Sequence, residues 1–331
     1  MTQALDASVA RKTEVALEEH PLEDHGTLGL PGRQALEIDV VRELSKRSDA
    51  QGLLRIGGHY LAMALTGTLI RLADDVWWLL VPAMIAHGFT ILAMFAPMHE
   101  CVHRTAFKTP WLNEVVGWPA GALAGYSFNF YRRFHSWHHR YTQDLQRDPE
   151  LSGGKPQTFR QYLFVLSGIP FWINRSRDLV VLSLGRTERF PYVPDSTKGE
   201  IVWSARAQLA LYGLIAVVSV VTGSTLALRY WLLPAILAEP ILRALLIVEH
   251  TGCTLDSNGL TNTRSTLTSP PVRFLMWNMP FHAEHHLYPS IPFHRLPEAH
   301  QRLLGKITHV SPGYPAANAE VVRALGTPAI P

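Results

Sequence analysis

The stretch WWLLVPAMIAHGFTILAMFAPMHECVH, residues 77–103, decides the fold. It is apolar from Trp77 to Pro97 and then turns abruptly polar at His99, Glu100 and His103. About 20 apolar residues are needed to cross a bilayer as a helix, so this run predicts a crossing that delivers a histidine pair to a membrane surface. Upstream, Leu53 to Ala73 is a second run of the same kind, separated from the first by Asp74 and Asp75. Together they read as a helical hairpin. Two further runs, Ala207 to Ala227 and Trp231 to Val248, flank Arg229 and Tyr230 and read as a second hairpin. Its last run contains Pro234, Pro240 and Arg243, which predicts a kink or packing against protein rather than lipid. It ends at Glu249 and His250.

Two more histidine groups follow the first, HSWHH at His135, His138 and His139, and HAEHH at His282, His285 and His286. The three groups hold 8 of the 16 histidines. Spacings of three and four place side chains on one helical face, so each group can aim its imidazoles at a common centre. Neutral imidazole ligates iron, zinc, copper and nickel. So many donors exceed the roughly four that one zinc takes, and they suit two ions held side by side. With two crossings in each hairpin, His99, His135, His250 and His282 all fall on the same side of the membrane. From Met98 to Arg206 there are 14 lysines and arginines, whereas the hairpin turns carry almost none. The positive-inside rule then predicts a cytosolic histidine face. Val115 to Tyr131 is apolar but short and glycine-rich, so a re-entrant or interfacial segment is expected there. Tyr162 to Trp172 reads as an interfacial helix.

Composition agrees with these readings. Of 331 residues, 47% are hydrophobic and 17% charged, against about 25% charged in ordinary globular domains. Mean hydropathy is only +0.05, as expected when a few apolar spans carry a large polar cap. The fold class is therefore all-α integral membrane, with four transmembrane helices in two hairpins and a cytosolic histidine-rich cap. A disordered lead is expected over residues 1–34, the main domain over 35–310 and a C-terminal tail over 311–331. Residues 34–46 predict an amphipathic helix on the membrane surface. The formal charge of +3 gives no case for nucleic acid. Cys101 and Cys253 do not suggest a disulfide, and the polar N-terminus has no apolar core of the kind a signal peptide needs. No GxGxxG, CxxC or haem-attachment motif occurs.

HxxxH, then HxxHH, then HxxHH, with two hairpins interleaved, resembles the membrane fatty acid desaturase superfamily over about residues 40–305. RFHSWHHRYTQDLQRDPEL and WNMPFHAEHHLYPSIPFHRLP are similar to that family's sequence around its second and third histidine boxes. The resemblance implies two irons, O₂ as co-substrate, and nine ligands: His99, His103, His135, His138, His139, His250, His282, His285 and His286. Glu100, Asp144, Asp148, Glu249 and Glu284 are near enough in sequence to accept hydrogen bonds from the ligands' outer nitrogens. Acyl-CoA members of the family carry an asparagine four residues before the additional histidine. Leu246 stands there, so the acyl-lipid branch fits better. The implied partners are membrane lipid and an electron donor of the ferredoxin or cytochrome b5 type, with its reductase. Arg132, Arg133, Arg140 and Arg147 form a candidate docking strip for that acidic donor.

The implied activity is O₂-dependent di-iron desaturation of a fatty acyl chain, most simply on an acyl-lipid. Alternatives within the superfamily are hydroxylation, carotenoid-like ketolation, and desaturation of a small amino-acid-derived metabolite. From other classes stand a zinc transporter and a haem protein. A transporter places its ligands near the bilayer midplane, whereas every group here lies at or beyond the end of an apolar run. His59 and His87, within apolar runs, read as packed residues. His294 sits in the proline-bounded turn PFHRLP and resembles a family feature of no assigned catalytic role, and His20, His25, His300 and His309 have no partner at ligand spacing.

Overall fold

The structure, a computed structural model, describes residues 32–326. The expected N-terminal lead, with His20 and His25, lies almost wholly outside those residues. Helix α1 (Ile38–Leu44) is shorter than the amphipathic segment expected over 34–46, because turns occupy the residues just before it. α2 (Asp49–Leu72) begins at Ser48, whose hydroxyl accepts the Gln51 N–H and so satisfies one otherwise unpaired donor of the first turn. α3 (Trp77–Leu92) runs through a tight turn into α4 (Phe95–Val102), carrying the helix well past Pro97 and through the first histidine box.

Among the described residues three helical stretches are long and apolar enough to cross a membrane: Asp49–Leu72, Trp77–Val102 and, much later, α9 (Asp195–Thr222). Before α9 come α5 (Pro110–Leu123), α6 (Phe128–Tyr141), α7 (Phe159–Leu166) and α8 (Ile169–Ser183). α9 itself is Asp195–Thr222, starting a full three turns before the apolar run. α2 and α9 leave Leu54, Leu61, Leu65, Val217, Val220 and Val221 facing outward, as helices in lipid do and helices in water rarely do. The expected re-entrant segment, Val115 to Tyr131, is two helices, α5 and α6, broken at Gly125, whose φ of 79° is in the left-handed region. The expected interfacial helix Tyr162 to Trp172 is likewise split, between α7 and α8, at Gly168 (φ 73°).

The fourth apolar run differs most from expectation. It holds α10 (Leu233–Leu246), preceded by a π-helical turn at Leu228–Leu232, and is not among the helices long enough to cross. Pro234 is the physical cause. It has no N–H to give to the Tyr230 carbonyl, and the helix widens there. His87 Nε2 takes up that carbonyl instead, at 3.0 Å, while His59 Nε2 bonds the Thr90 carbonyl at 2.8 Å. Both histidines are thus structural, as their positions in apolar runs suggested. Asp74, in the turn between α2 and α3, pairs with Arg71 and with Arg229 of the π-helical turn.

α3 and α10 cross at Gly88. A Cβ at that position would sit 1.9 Å from the Pro234 carbonyl oxygen, so the two backbones touch only because residue 88 lacks a side chain. Gly88→Ala is expected to destabilise the protein by about 1–3 kcal/mol, the usual cost of forcing volume into a packed interior. Thermal unfolding of the purified protein in detergent would register this as a lowered midpoint.

The remaining elements form the cap. They are the parallel two-stranded pair β1 (Arg264–Thr266) and β2 (His309–Ser311), with α11 (Pro270–Leu275), α12 (His282–Leu287), α13 (Leu296–Leu303) and α14 (Tyr314–Ala324). α14 falls within the segment set apart as a C-terminal tail. Ala317 and Val321 nevertheless bury one of its faces against Tyr162 and Val248, which joins it to the body of the fold. The main core gathers Met98, Phe107, Phe128, Trp277 and Phe293, all nearly inaccessible, around the histidine-bearing segments.

Candidate metal centre

Nine imidazoles come together where α4, α6, α12 and the turn after α10 meet. α4 ends with His99 in its last turn and His103 at its C-cap, and Arg104, in the left-handed region at φ 57°, reverses the chain immediately after. α6 presents His135, His138 and His139 on one face, as the three- and four-residue spacing requires. α12 is only six residues long and carries all of HAEHH, with His282 and His285 buried. His250 arrives from the turn that follows α10.

They fall into two groups. Ring nitrogens of His99, His103, His135, His139 and His285 all lie within 4.8 Å of one another, and so, separately, do those of His138, His250 and His286. His282 joins the second group through its Nε2, 3.2 Å from His250 Nε2. Within the first group His139 Nε2 is 2.9 Å from His135 Nε2 and 3.1 Å from His285 Nε2. Within the second, His138 Nε2 is 3.2 Å from His250 Nε2. The groups adjoin, since the His139 and His286 rings stack at 4.1 Å.

These nitrogens are poorly served by the protein itself. Both ring nitrogens of His99, Nε2 of His103 and His286, and Nδ1 of His139, His282 and His285 are buried without a hydrogen-bond partner. Buried polar atoms are normally paired, so such a concentration of orphaned imidazole nitrogens fits a site built to hold metal ions. The electrostatics agree. Burial, then repulsion from Arg132 and His138, pushes His103 down to about 3. Burial likewise holds His135, His139, His250, His282, His285 and His286 well below the ordinary imidazole value, so they are neutral and free to ligate. His138 alone is raised. Burial opposes its charge, but Glu150 and Asp148 together outweigh it.

The carboxylates near the boxes have separate fates. Asp148 accepts from His138 Nδ1 at 2.9 Å and from the Gln143 N–H at 2.9 Å, and so orients a ring from behind. Glu249 lies 3.5 Å from His282 Nε2. Glu100 faces away, toward the Thr105 hydroxyl and the Phe293 N–H. Asp144 closes its own turn onto Arg147. Glu284 is buried between Ser265 and His300. His300 was therefore missed as a structural partner, since nothing in its spacing links it to residue 284.

Other supports were also invisible in the sequence. Gln143, at φ 69°, is one of few non-glycine residues in the left-handed region, a conformation that costs energy and persists only when its surroundings hold it. Its side chain donates to the His250 carbonyl at 2.7 Å and the Asn262 carbonyl at 3.1 Å, tying the second box to the turn that carries His250. His250 Nδ1 faces that same Asn262 carbonyl at 3.3 Å. Of the proposed docking strip, Arg132 is buried, paired with Glu114 at 2.7 Å and lying over the Phe128 ring. It has no free surface to offer. Arg133 is half-buried, and Arg140 and Arg147 are exposed.

Asp148→Asn tests the back-side bond. It keeps the shape but turns an acceptor of the His138 N–H into a weaker partner. A loss of about 10–100-fold in metal affinity is expected, as for other outer partners of ligating histidines, with the apoprotein still folded but unfolding at a somewhat lower temperature, because Asp148 also accepts the Gln143 and Glu150 N–H groups. Metal titration followed by calorimetry measures both.

A half-open cavity of about 780 Å³ reaches the cluster at His99, His135 and His282. Its walls mix apolar residues (Phe134, Val165, Leu246) with Arg175, Arg177 and Arg189.

Comparison with known proteins agrees with this geometry. Residues 75–316 match the model of a family described as fatty acid desaturase. The chain is 31% identical to an sn-1 oleoyl-lipid 12-desaturase of Picosynechococcus sp. over 117 residues, 33% of this chain and 34% of that protein. It spans about a third of that relative. Similarity to the dihydrorhizobitoxine desaturase of Bradyrhizobium elkanii is 25% identity over 298 residues, 84% of this chain and 82% of the other. An sn-1 acyl-lipid omega-3 desaturase (ferredoxin) of Nostoc sp. is 21% identical over 262 residues, 71% of each chain.

Proposed function

Because the chain belongs to the fatty acid desaturase family, an oxidoreductase family, we propose that it is an O₂-dependent di-iron desaturase acting on the acyl chain of a membrane lipid. The observation that carries this reading is the convergence of nine imidazoles into two adjoining groups beside a cavity. His99, His103, His135, His139 and His285 would hold one iron. His138, His250, His282 and His286 would hold the other. The irons, when bound, supply the oxidising power drawn from O₂ that removal of hydrogen from an unactivated methylene demands.

The chain's own residues do the rest. Asp148 fixes the His138 ring and its tautomer, and the Asn262 carbonyl does the same for His250. Gln143 and Lys155 hold the His250 carbonyl, so the two ligand-bearing segments cannot drift apart. The buried core of Met98, Trp277 and Phe128 keeps bulk water from the ligands. Phe134, Val165 and Leu246 give an acyl chain an apolar approach to His99, His135 and His282.

In the membrane, the Leu226–Leu246 segment completes a second hairpin and makes four crossings, leaving the histidine cap on the cytosolic side with the basic segment from Met98 to Arg206. Electrons come from a separate donor of the ferredoxin or cytochrome b5 type, and one relative's name includes ferredoxin. The docking strip is then Arg133, Arg140 and Arg147, without Arg132.

One observation favours a second reading, desaturation of a small amino-acid-derived metabolite. The cavity carries charges of both signs, Arg175, Arg177 and Arg189 with Glu150 and Asp178, and the dihydrorhizobitoxine desaturase aligns over 84% of the chain. A single experiment separates the two. Cells expressing the chain with a ferredoxin and its reductase are compared with cells expressing a His138→Ala variant, by mass spectrometry of fatty acyl chains and of polar metabolites. A double bond that appears in the acyl chains only with the intact histidine supports the lipid reading. A new unsaturated polar product and unchanged acyl chains supports the second, and a hydroxylated or keto product contradicts both.

A further inference from the structure

The two imidazole groups are unequal, five rings against four, and at the four-ring end two carboxylates stand on the side where the rings' ligating nitrogens converge. We propose that Glu249, with Glu150 beside it, is an anionic oxygen ligand of the metal ion held by His138, His250, His282 and His286. The proposal rests on the di-iron reading above and adds a ligand to it.

Which side of each ring the carboxylates occupy is the deciding observation. An outer partner sits behind an imidazole, on the nitrogen that does not bind metal. For His138 that place is taken, because its Nδ1 bonds Asp148. Glu150 Oε2 instead lies 3.7 Å from Nε2, the nitrogen that also faces His250 Nε2. For His250 the rear nitrogen is Nδ1, on the Asn262 carbonyl, so its Nε2 points into the site. His282 Nε2 meets that atom at 3.2 Å, and Glu249 Oε2 is 3.5 Å from the same His282 nitrogen. Both carboxylates therefore share the space into which the ligating nitrogens point. Both border the cavity, and Glu249 is the better enclosed, with its side chain 16% exposed against 37% for Glu150.

Glu249 is also placed firmly. Its N–H donates to the Leu246 carbonyl, and its own carbonyl accepts from Arg264 at 2.8 Å. Among the described residues no backbone N–H or hydroxyl is within hydrogen-bond reach of its carboxylate. A carboxylate only 16% exposed, with an imidazole nitrogen at 3.5 Å as its nearest polar partner, gains from a cation beside it. The carboxylate would in turn offset part of the charge of an ion otherwise held by neutral imidazoles. Carboxylate oxygen at one ion and nitrogen alone at the other would make the two sites chemically distinct.

The test uses the full-length chain, purified in detergent, stripped of metal and titrated with cobalt(II), whose visible bands report its donor atoms. Two cobalt ions per chain are expected for the unmodified protein. Glu249→Gln, of nearly the same shape, should weaken one of the two sites by at least about tenfold, as loss of a ligand exceeds loss of an outer partner, and alter its visible bands. The other site should stay as it was. Glu249→Asp should keep both sites, with bands displaced, and thermal unfolding of the stripped proteins shows that each variant is folded. Unchanged affinity and bands in Glu249→Gln would overturn the carboxylate ligand while leaving the di-iron reading intact. Failure of the unmodified protein to bind two cobalt ions would overturn both.

Discussion

Replacing His285 with alanine is expected to abolish turnover and to leave the chain with about one iron in place of two. His285 is fully buried, and its Nε2 lies 3.1 Å from His139 Nε2. Its ring is 4.7 Å from both the His99 and the His103 ring. His286, the other α12 ring against that group, stacks on His139 but clusters with the second set, so His285 is the α12 ring assigned to the first ion. Loss of an outer hydrogen-bond partner alone costs about 10–100-fold, and loss of a ligand at the centre of the cluster should cost more than about 100-fold. Product formation and iron content of the variant check this together. The apoprotein should remain folded, because the ring's Nδ1 has no protein partner to lose. Full activity in His285→Ala would refute the assignment of the five-ring group.

Metal removal is the second large effect. Chelation at neutral pH should eliminate activity and lower the unfolding temperature, because ions that bind only the folded chain stabilise it by mass action. Once the ions leave, a set of buried imidazole nitrogens without partners remains, an arrangement that buried polar atoms rarely tolerate. Ferrous iron should restore both activity and stability. Zinc should restore stability alone, since it accepts imidazole but has no redox chemistry. Acid should mimic the chelator. Burial holds His103, His135, His139, His250, His282, His285 and His286 below the ordinary imidazole value, so protons compete for them less readily than for His138. Metal loss on lowering the pH should therefore begin at His138, the one ring whose affinity for a proton is raised.

The sequence carried the three histidine boxes because each lies on a short helical stretch, where spacing of three or four residues is itself geometry. It carried the apolar runs for the same reason: length alone reports a crossing. His250 was of a different kind. It stands in a turn with no partner at ligand spacing, so topology could place it on the side of the boxes, but only the resemblance of the whole chain to a family made it a ligand.

Nearness in sequence was a weaker guide for the acidic residues. Glu100 follows His99 and Glu284 lies between His282 and His285, but successive helical residues are turned about 100° apart. Both carboxylates point to other partners as a result. Asp148 does reach His138 because the chain reverses at Gln143, whose left-handed backbone no periodicity could announce. The same reversal brings Glu150 beside the site. Arg132 read as part of a basic surface, yet its guanidinium turns inward to Glu114, since one-dimensional charge runs do not record which face of a helix is covered. The fourth apolar run was legible in composition. Its π-helical turn depended on where the Tyr230 carbonyl, left free by Pro234, would find a donor.

The most direct test of the account is the metal content of the purified full-length protein, loaded with ⁵⁷Fe and examined by elemental analysis and Mössbauer spectroscopy. Two irons per chain, giving a non-haem spectrum with no Soret absorption, is the predicted result. A single zinc, a haem band, or a protein that folds and works without iron would contradict it.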